Sequence, residues 1–257
     1  MSNIKNSFAN GKAFIGFLTG GDPSLEKSEE FILEMVRGGA DLIEIGVPFS
    51  DPIAEGPVIQ AANIRALAAG ATIDRLFQLV RRMRGQTAVP MVFLTYLNPV
   101  YRYGYEKFFE TCRLVGVDGV IIPDLPYEEQ IEVRPTASVN EIDLISLVAP
   151  TSENRIKEIV LNASGFLYVV SSLGVTGVRK EITTDLTSLL QAMKAVSDIP
   201  TAVGFGISTP AQAAYISRLA DGVIIGSAIV KIIEEHGNKA GRYLYEYVKS
   251  MKDALLA

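Results

Sequence analysis

One cysteine and one histidine occur in 257 residues, and both scarcities narrow the chemistry. A lone Cys112 excludes an intramolecular disulfide framework and suits a reducing compartment. A lone His236 excludes His-rich metal sites and any mechanism needing two imidazoles, so no metal is expected. No run of about 18 apolar residues exists to span a bilayer. The opening MSNIKNSFANGK also lacks the apolar core of a secretory signal. Basic residues are scattered, the net charge is −5 and the pI is near 5.1, which leaves no electrostatic footprint for nucleic acid. The one basic cluster, Arg81, Arg82 and Arg84, reads as the solvated end of a helix. No linker or low-complexity tract divides the chain. A cytoplasmic protein with no nucleic-acid or membrane partner is expected.

What is present is a repeated pattern. Apolar residues make up 48% of the chain and charged residues 21%, ample for a full core. Short β-branched runs recur as AFIGFL (13–18), DLIEIGV (41–47), PMVFLTY (90–96), DGVIIPD (118–124), DLISLVA (143–149), GFLYVVS (165–171), PTAVGFG (200–206) and DGVIIGS (221–227). Helix-like stretches separate them, which predicts βαβ units and a parallel sheet. PSLEKSEEFILEMVRGG has apolar residues at helical spacing behind a Ser24 cap; SENRIKEIVLNAS and STPAQAAYISRLA each open on serine, with Pro210 at a helix start. Eight such units in about 250 residues match the size of a (β/α)8 barrel. The fold expected is therefore α/β, a single TIM-barrel domain over residues 1–257. Strand runs two and three lie unusually far apart, which predicts an extra helix and a long loop between them. A doubly wound open sheet would want GxGxxG after its first strand, where TGGDPS stands instead.

Alternation in DLIEIGV puts Ile43, Ile45 and Val47 on the helix-facing side and Glu44 inside the barrel near its C-terminal mouth. No lysine or arginine lies in the body of any strand run, so burial should raise the Glu44 pKa and suit it to acid–base work. The loop that follows, GVPFSDPIAEGPVIQAAN, carries Asp51 and Glu55; spacing alone leaves Glu55 equally open to being a second catalytic carboxylate or a solvated one. Glycine-rich turns follow the last three strand runs: SSLGVTGVR, GFGIS and IIGSAIVK. Gly226 and Ser227 open a helix, where free amides and partial positive charge suit a phosphate. Phe17, Tyr96 and Tyr168 can face inward near the mouth and suit a flat apolar substrate portion. No lysine at a strand end offers a Schiff base, which points to carboxylates acting without a covalent intermediate.

At these residues the sequence resembles the tryptophan synthase alpha chain family, essentially end to end. The resemblance is carried by FLTGGDP (17–23), LIEIGVPFSDPIAEGP (42–57), VAPTS (148–152), YVVSSLGVTG (168–177), GFGIS (204–208) and IIGSAIVKIIE (224–234). It implies a (β/α)8 barrel that cleaves indole-3-glycerol phosphate to indole and glyceraldehyde 3-phosphate. It implies no cofactor in this chain; the partner is a pyridoxal-phosphate-dependent beta chain that receives the indole, in an alpha2beta2 complex. Carried over residue by residue, it makes Glu44 the acid that protonates the indole C3 and Glu55 the carboxylate that handles the indole N–H. Phe17, Tyr168, Thr176, Gly177, Phe205, Gly206, Gly226 and Ser227 fall on positions lining the indole and phosphate sites or ordering a lid. Pro48, Asp51, Pro52, Asn98 and Asp124 fall on loops facing the beta chain.

Two positions depart from that family's best-studied members. Glu55 stands where they have aspartate, so either the loop is set back or activity is reduced. Ser172 stands where they have arginine, just before residues 173–183, a segment expected to be a mobile lid with trypsin-sensitive Arg179 and Lys180. Alternatives are a catalytically attenuated subunit that mainly regulates a beta chain, a free-standing lyase, and another phosphate-binding barrel.

Overall fold

The computed structural model describes residues 3–149, 155–170, 186–204 and 206–256. Eight parallel strands close on themselves in chain order: β1 (Ala13–Thr19), β2 (Leu42–Gly46), β3 (Met91–Leu94), β4 (Gly119–Ile121), β5 (Asp143–Val148), β6 (Leu167–Val170), β7 (Thr201–Gly204) and β8 (Gly222–Ile225). Pairing of β1 with both β2 and β8 completes the ring, with Phe17 opposite Glu44 and Ile15 opposite Ile224. Seven of the eight strands lie inside an expected run, trimmed where proline, glycine or aspartate turns the chain, and β1 runs one residue past its expected end, to Thr19.

Alternation sorts the side chains into two layers. Ile15, Leu42, Val92, Ile121, Ile145, Phe166, Tyr168, Ala202 and Ile224 fill the barrel interior. Phe14, Leu18, Ile43, Ile45, Phe93, Val120 and Val203 pack outward against the helices. Ile4, fully buried, joins the interior layer and is carried on a short 3-10 helix (Ile4–Phe8), with Phe8 packed alongside. The N-terminal segment thus helps to fill the barrel interior, a role its polar composition did not announce.

The first helix, α1 (Leu25–Gly38), starts at Ser24, whose side chain accepts the Lys27 N–H, and stops at left-handed Gly39. Between β2 and β3 come the expected long loop and extra helix, as α2 (Pro57–Ala68) and α3 (Ile73–Arg84). The β3–β4 connection is also doubled, into α4 (Leu97–Tyr103) and α5 (Tyr105–Val115), which meet at Gly104. The later helices are α6 (Arg134–Val139), α7 (Ile156–Leu161), α8 (Leu186–Lys194), α9 (Pro210–Ser217), α10 (Ser227–His236) and α11 (Ala240–Leu256). Among the described residues no helix is long and apolar enough to cross a membrane.

Two local expectations are corrected. The cap of α9 is Thr209, not Ser208: with Pro210 at the first helical position, the extended residue before it must cap. Thr209 accepts the Gln212 N–H while Gln212 reaches back, a reciprocal box. The Ser152 cap expected for the other helix lies outside the described residues. Arg84 is not solvated: it is half-buried and donates to the Gly116 and Val89 carbonyls and to Asp118. Its neighbour Arg82 does reach the surface, where it pairs with Glu29.

The strand-opening aspartates staple the barrel base. Asp41 accepts the Phe14 N–H (2.7 Å) and the Lys252 ammonium. Asp118 accepts the N–H groups of Met91 (2.9 Å) and Asn3 (3.2 Å). Asp221 accepts the Thr201 N–H (3.0 Å) and hydroxyl. Each joins its own strand to a neighbour at the end opposite the mouth and satisfies N–H groups that the ladder leaves open.

Candidate active site

Glu44 sits on the inner face of β2, between outward-facing Ile43 and Ile45. It is 1% exposed, and its Oε2 has no hydrogen-bond partner among the described residues. Burial, helped by the charge of Glu55, pushes its carboxyl up to about 8. The Thr19 hydroxyl, at the top of β1, is likewise buried and without a partner among the described residues. Unsatisfied polar atoms at the mouth of an otherwise apolar barrel call for a ligand group or water.

Glu55 closes the long loop after β2, one residue before Gly56 caps α2. It is 7% exposed, so the burial that spacing alone left open is settled in favour of an interior carboxylate. Burial pushes it up to about 7, while hydrogen bonds from Asn63 and Tyr96 favour its charged form. Asn63 Nδ2 lies 2.6 Å from Glu55 Oε2. The Tyr96 hydroxyl, at the N-terminal boundary of α4, accepts the Ala54 N–H at 3.1 Å, and its ring lies against Phe49. Tyr96 is thus tied to the carboxylate-bearing loop, a role that its apolar neighbourhood in sequence did not suggest.

The other expected residues gather at the same end. Phe17, on the inner face of β1, packs with Ile59 and Ala62 of α2 and Val230 of α10. Its ring lies over Gly46, where any Cβ would come within 2.7 Å of it, so the glycine of the IEIG stretch makes room for the aromatic wall. Tyr168 is buried on β6, where burial and the Glu44 charge hold its phenol protonated. Gly226 caps α10, whose first residue is Ser227. Gly206 has φ +86°, a backbone state that L side chains rarely adopt. Thr176, Gly177 and Phe205, with Ser172 and the 173–183 segment, lie outside the described residues.

Of the loop positions, Asp51 and Asn98 are exposed, while Pro48, Pro52 and Asp124 are half-buried. Asp124 accepts the Leu97 N–H at 2.9 Å and so joins the loop after β4 to the start of α4. Exposed Ile53, Tyr101 and Ile131 stand on the same set of connections, after β2, β3 and β4. Sequence reasoning missed Asn63 and the pair Asp22–Arg65. Asn63 is the one polar residue in the buried row Ile59, Ala62, Asn63 and Ala66 of α2, a pattern visible in VIQAANIRALA.

A closed β/α barrel with a carboxylate pair at its C-terminal mouth has the layout of a barrel enzyme working by proton transfer. The particular family is given by comparison with known proteins. The family model described as tryptophan synthase alpha chain matches residues 2–255. A tryptophan synthase alpha chain from Lacticaseibacillus casei is 46% identical over 255 residues, covering 99% of this chain and 96% of that one. The one from Lactiplantibacillus plantarum is 48% identical over 256 residues, covering 99% and 97%. Among solved structures, tryptophan synthase subunit alpha from Legionella pneumophila superposes with a TM-score of 0.89 at 34% identity, over 99% of this chain and 98% of that one. A chain of the tryptophan synthase a2b2 complex from Pyrococcus furiosus gives 0.88 at 37% identity, over 95% and 99%. This chain belongs to the tryptophan synthase alpha chain family.

Proposed function

We propose that this chain cleaves indole-3-glycerol phosphate to indole and glyceraldehyde 3-phosphate, with Glu44 and Glu55 moving the protons. The observation that carries the assignment of roles is Glu44 itself, a buried carboxyl at the mouth whose Oε2 has no partner among the described residues, close enough to a second buried carboxylate to feel its charge. A protonated Glu44 donates to C3 of the indole while ionised Glu55 takes the ring N–H proton. Glu44, now ionised, takes the hydroxyl proton of the adjoining side-chain carbon. The C–C bond breaks, its electron pair runs into the ring, and the nitrogen recovers its proton from Glu55. Both residues return to their starting states, and the sequence needs no cofactor from this chain.

Phe17 and Tyr168 provide aromatic surface for the indole. Gly206 and the amides at Gly226 and Ser227 suit the phosphate, since α10 turns its N-terminus toward the mouth. The beta chain docks on the loops holding Pro48, Asp51, Pro52, Asn98 and Asp124, where exposed Ile53, Tyr101 and Ile131 offer apolar contact. Pyridoxal phosphate belongs to that partner. One domain spans residues 1–257, and the lone, buried Cys112 suits a reducing cytoplasm.

The test is cleavage in heavy water by the purified chain, with and without a beta chain. Indole and glyceraldehyde 3-phosphate are expected in equal amounts, with one deuteron at C3 of the released indole. Absence of indole release in both arms would overturn the reading.

A further inference from the structure

Helix α2 presents an apolar row to the barrel, and Asn63 interrupts it. Ile59, Ala62 and Ala66 are buried around it, and Asn63 itself is 3% exposed. A buried amide is costly unless its hydrogen bonds are made. Here the bond goes to Glu55 Oε2, at 2.6 Å. The groups acting on Glu55 are its burial, the Asn63 amide and the Tyr96 hydroxyl; Glu44 faces it from β2, and Asp124 acts on Tyr96. Among the described residues, no lysine or arginine acts on either carboxylate. Among the described residues, the two neutral donors are therefore what supports a negative charge at position 55.

The reach of that amide is fixed from outside the barrel. Two residues on, Arg65 grips Asp22 with two parallel bonds, Nε to Oδ1 and Nη2 to Oδ2, each 2.8 Å. Asp22 is fully buried in the turn after β1, and a third bond from Arg65 reaches Glu234 on α10. Helix α2 is thus clamped to its neighbours on both sides, and Asn63 meets the loop at a set distance. The loop is tied as well: the Glu55 carbonyl accepts the Gln60 side-chain amide at 2.8 Å.

We propose that Asn63 is a positioning residue for the proton-transfer chemistry, holding Glu55 Oε2 so that a carboxylate of glutamate length is ionised and aimed at the substrate. The proposal rests on the reading of Glu55 as a proton-transfer group. Asn63 touches Glu55 and acts through it. Its amide donates more strongly to the charged form than to the neutral acid, so losing it disfavours ionisation. Shortening the acid instead withdraws the carboxylate by about 1.5 Å, beyond the reach of a clamped asparagine. A glutamine at position 63 reaches about as much farther and would meet a shortened acid.

The experiment measures kcat and KM against pH for indole-3-glycerol phosphate cleavage, using the full chain with a beta chain present. The proteins are the parent, Asn63→Leu, Glu55→Asp, Glu55→Asp with Asn63→Gln, and Glu55→Gln, each with its Tm. For Asn63→Leu the acidic limb should move up by about one pH unit, and kcat near neutrality should fall about tenfold at nearly constant KM. Glu55→Asp should lose about 10–100-fold. The double variant should recover at least about tenfold of that loss, a rescue that a merely structural amide would not give. An unshifted acidic limb in Asn63→Leu, or a folded double variant no better than Glu55→Asp, overturns the proposal. If Asn63→Leu does not fold, the double variant decides alone. Glu55→Gln separates the two readings. Retention of activity within tenfold of the parent removes Glu55 from the chemistry altogether, whereas an inactive Glu55→Gln with no rescue removes only the role of Asn63.

Discussion

Glu44→Gln is expected to lower turnover by about 10²–10⁴-fold, the usual contribution of a positioned acid–base group, and to leave inhibition by glycerol phosphate intact. The amide has the shape of the carboxyl but no proton to give to C3 and no charge with which to take one back. Because Glu44 lies on β2 and the Gly226 turn follows β8, with β1 between them, anion binding should persist. The same variant should change stability with a defined pH dependence. The Glu44 pKa rises from an ordinary 4.5 to about 8 in the folded chain, so the folded state favours its protonated form. That stabilisation is complete below about pH 4.5 and is lost as pH rises through about 8, on the order of 5 kcal/mol in all. Glutamine carries no such dependence. The Tm of the variant should therefore gain on the parent between about pH 5 and 8. Turnover within tenfold of the parent would contradict the assignment of Glu44 as the acid.

Asp118→Ala should produce the largest loss of stability at a site remote from the chemistry, about 3–4 kcal/mol. Its carboxylate is 8% exposed and receives the Met91 and Asn3 N–H groups together with the Arg84 guanidinium. Alanine leaves a half-buried guanidinium without its counter-ion and two N–H groups without acceptors. It also loosens β3 and the N-terminal segment whose Ile4 joins the barrel interior. A fall in Tm of roughly 6–16 °C is expected for a chain of this size. At low temperature kcat should stay near the parent value, because the staple lies at the barrel end opposite the mouth. A Tm within about 2 °C of the parent would show that the Asp118 contacts carry little of the stability.

The barrel was legible because parallel strands buried on both faces leave continuous β-branched runs, and these recur at regular spacing. DLIEIGV further revealed the direction of Glu44, since a polar residue between Ile43 and Ile45 can only face inward. Glu55 was harder. Its burial depends on the path of a proline- and glycine-punctuated loop and on Asn63 and Tyr96, brought to it by two other elements. Arg84 was misread for a related reason: at the end of α3 it has the composition of a solvated cluster, yet its partners are Gly116, Val89 and Asp118. The role of the strand-opening aspartates was present in the repeated DL and DG openings, but their acceptor function needs the neighbouring strand. Ile4 and Phe8 lacked any periodic signal, since one 3-10 turn is too short to carry one.

The dependence of kcat/KM on pH tests the central claim most directly, because the two carboxylates must be in opposite protonation states at once. Glu55 accepts a proton only when ionised, above about 7, and Glu44 donates only when protonated, below about 8. The profile for indole-3-glycerol phosphate cleavage should be a narrow bell with its maximum between about pH 7 and 8, its two limbs belonging to the interacting pair. A rate that is flat from about pH 5.5 to 9, or an acidic limb near the ordinary carboxylate value of about 4.3, would contradict the account.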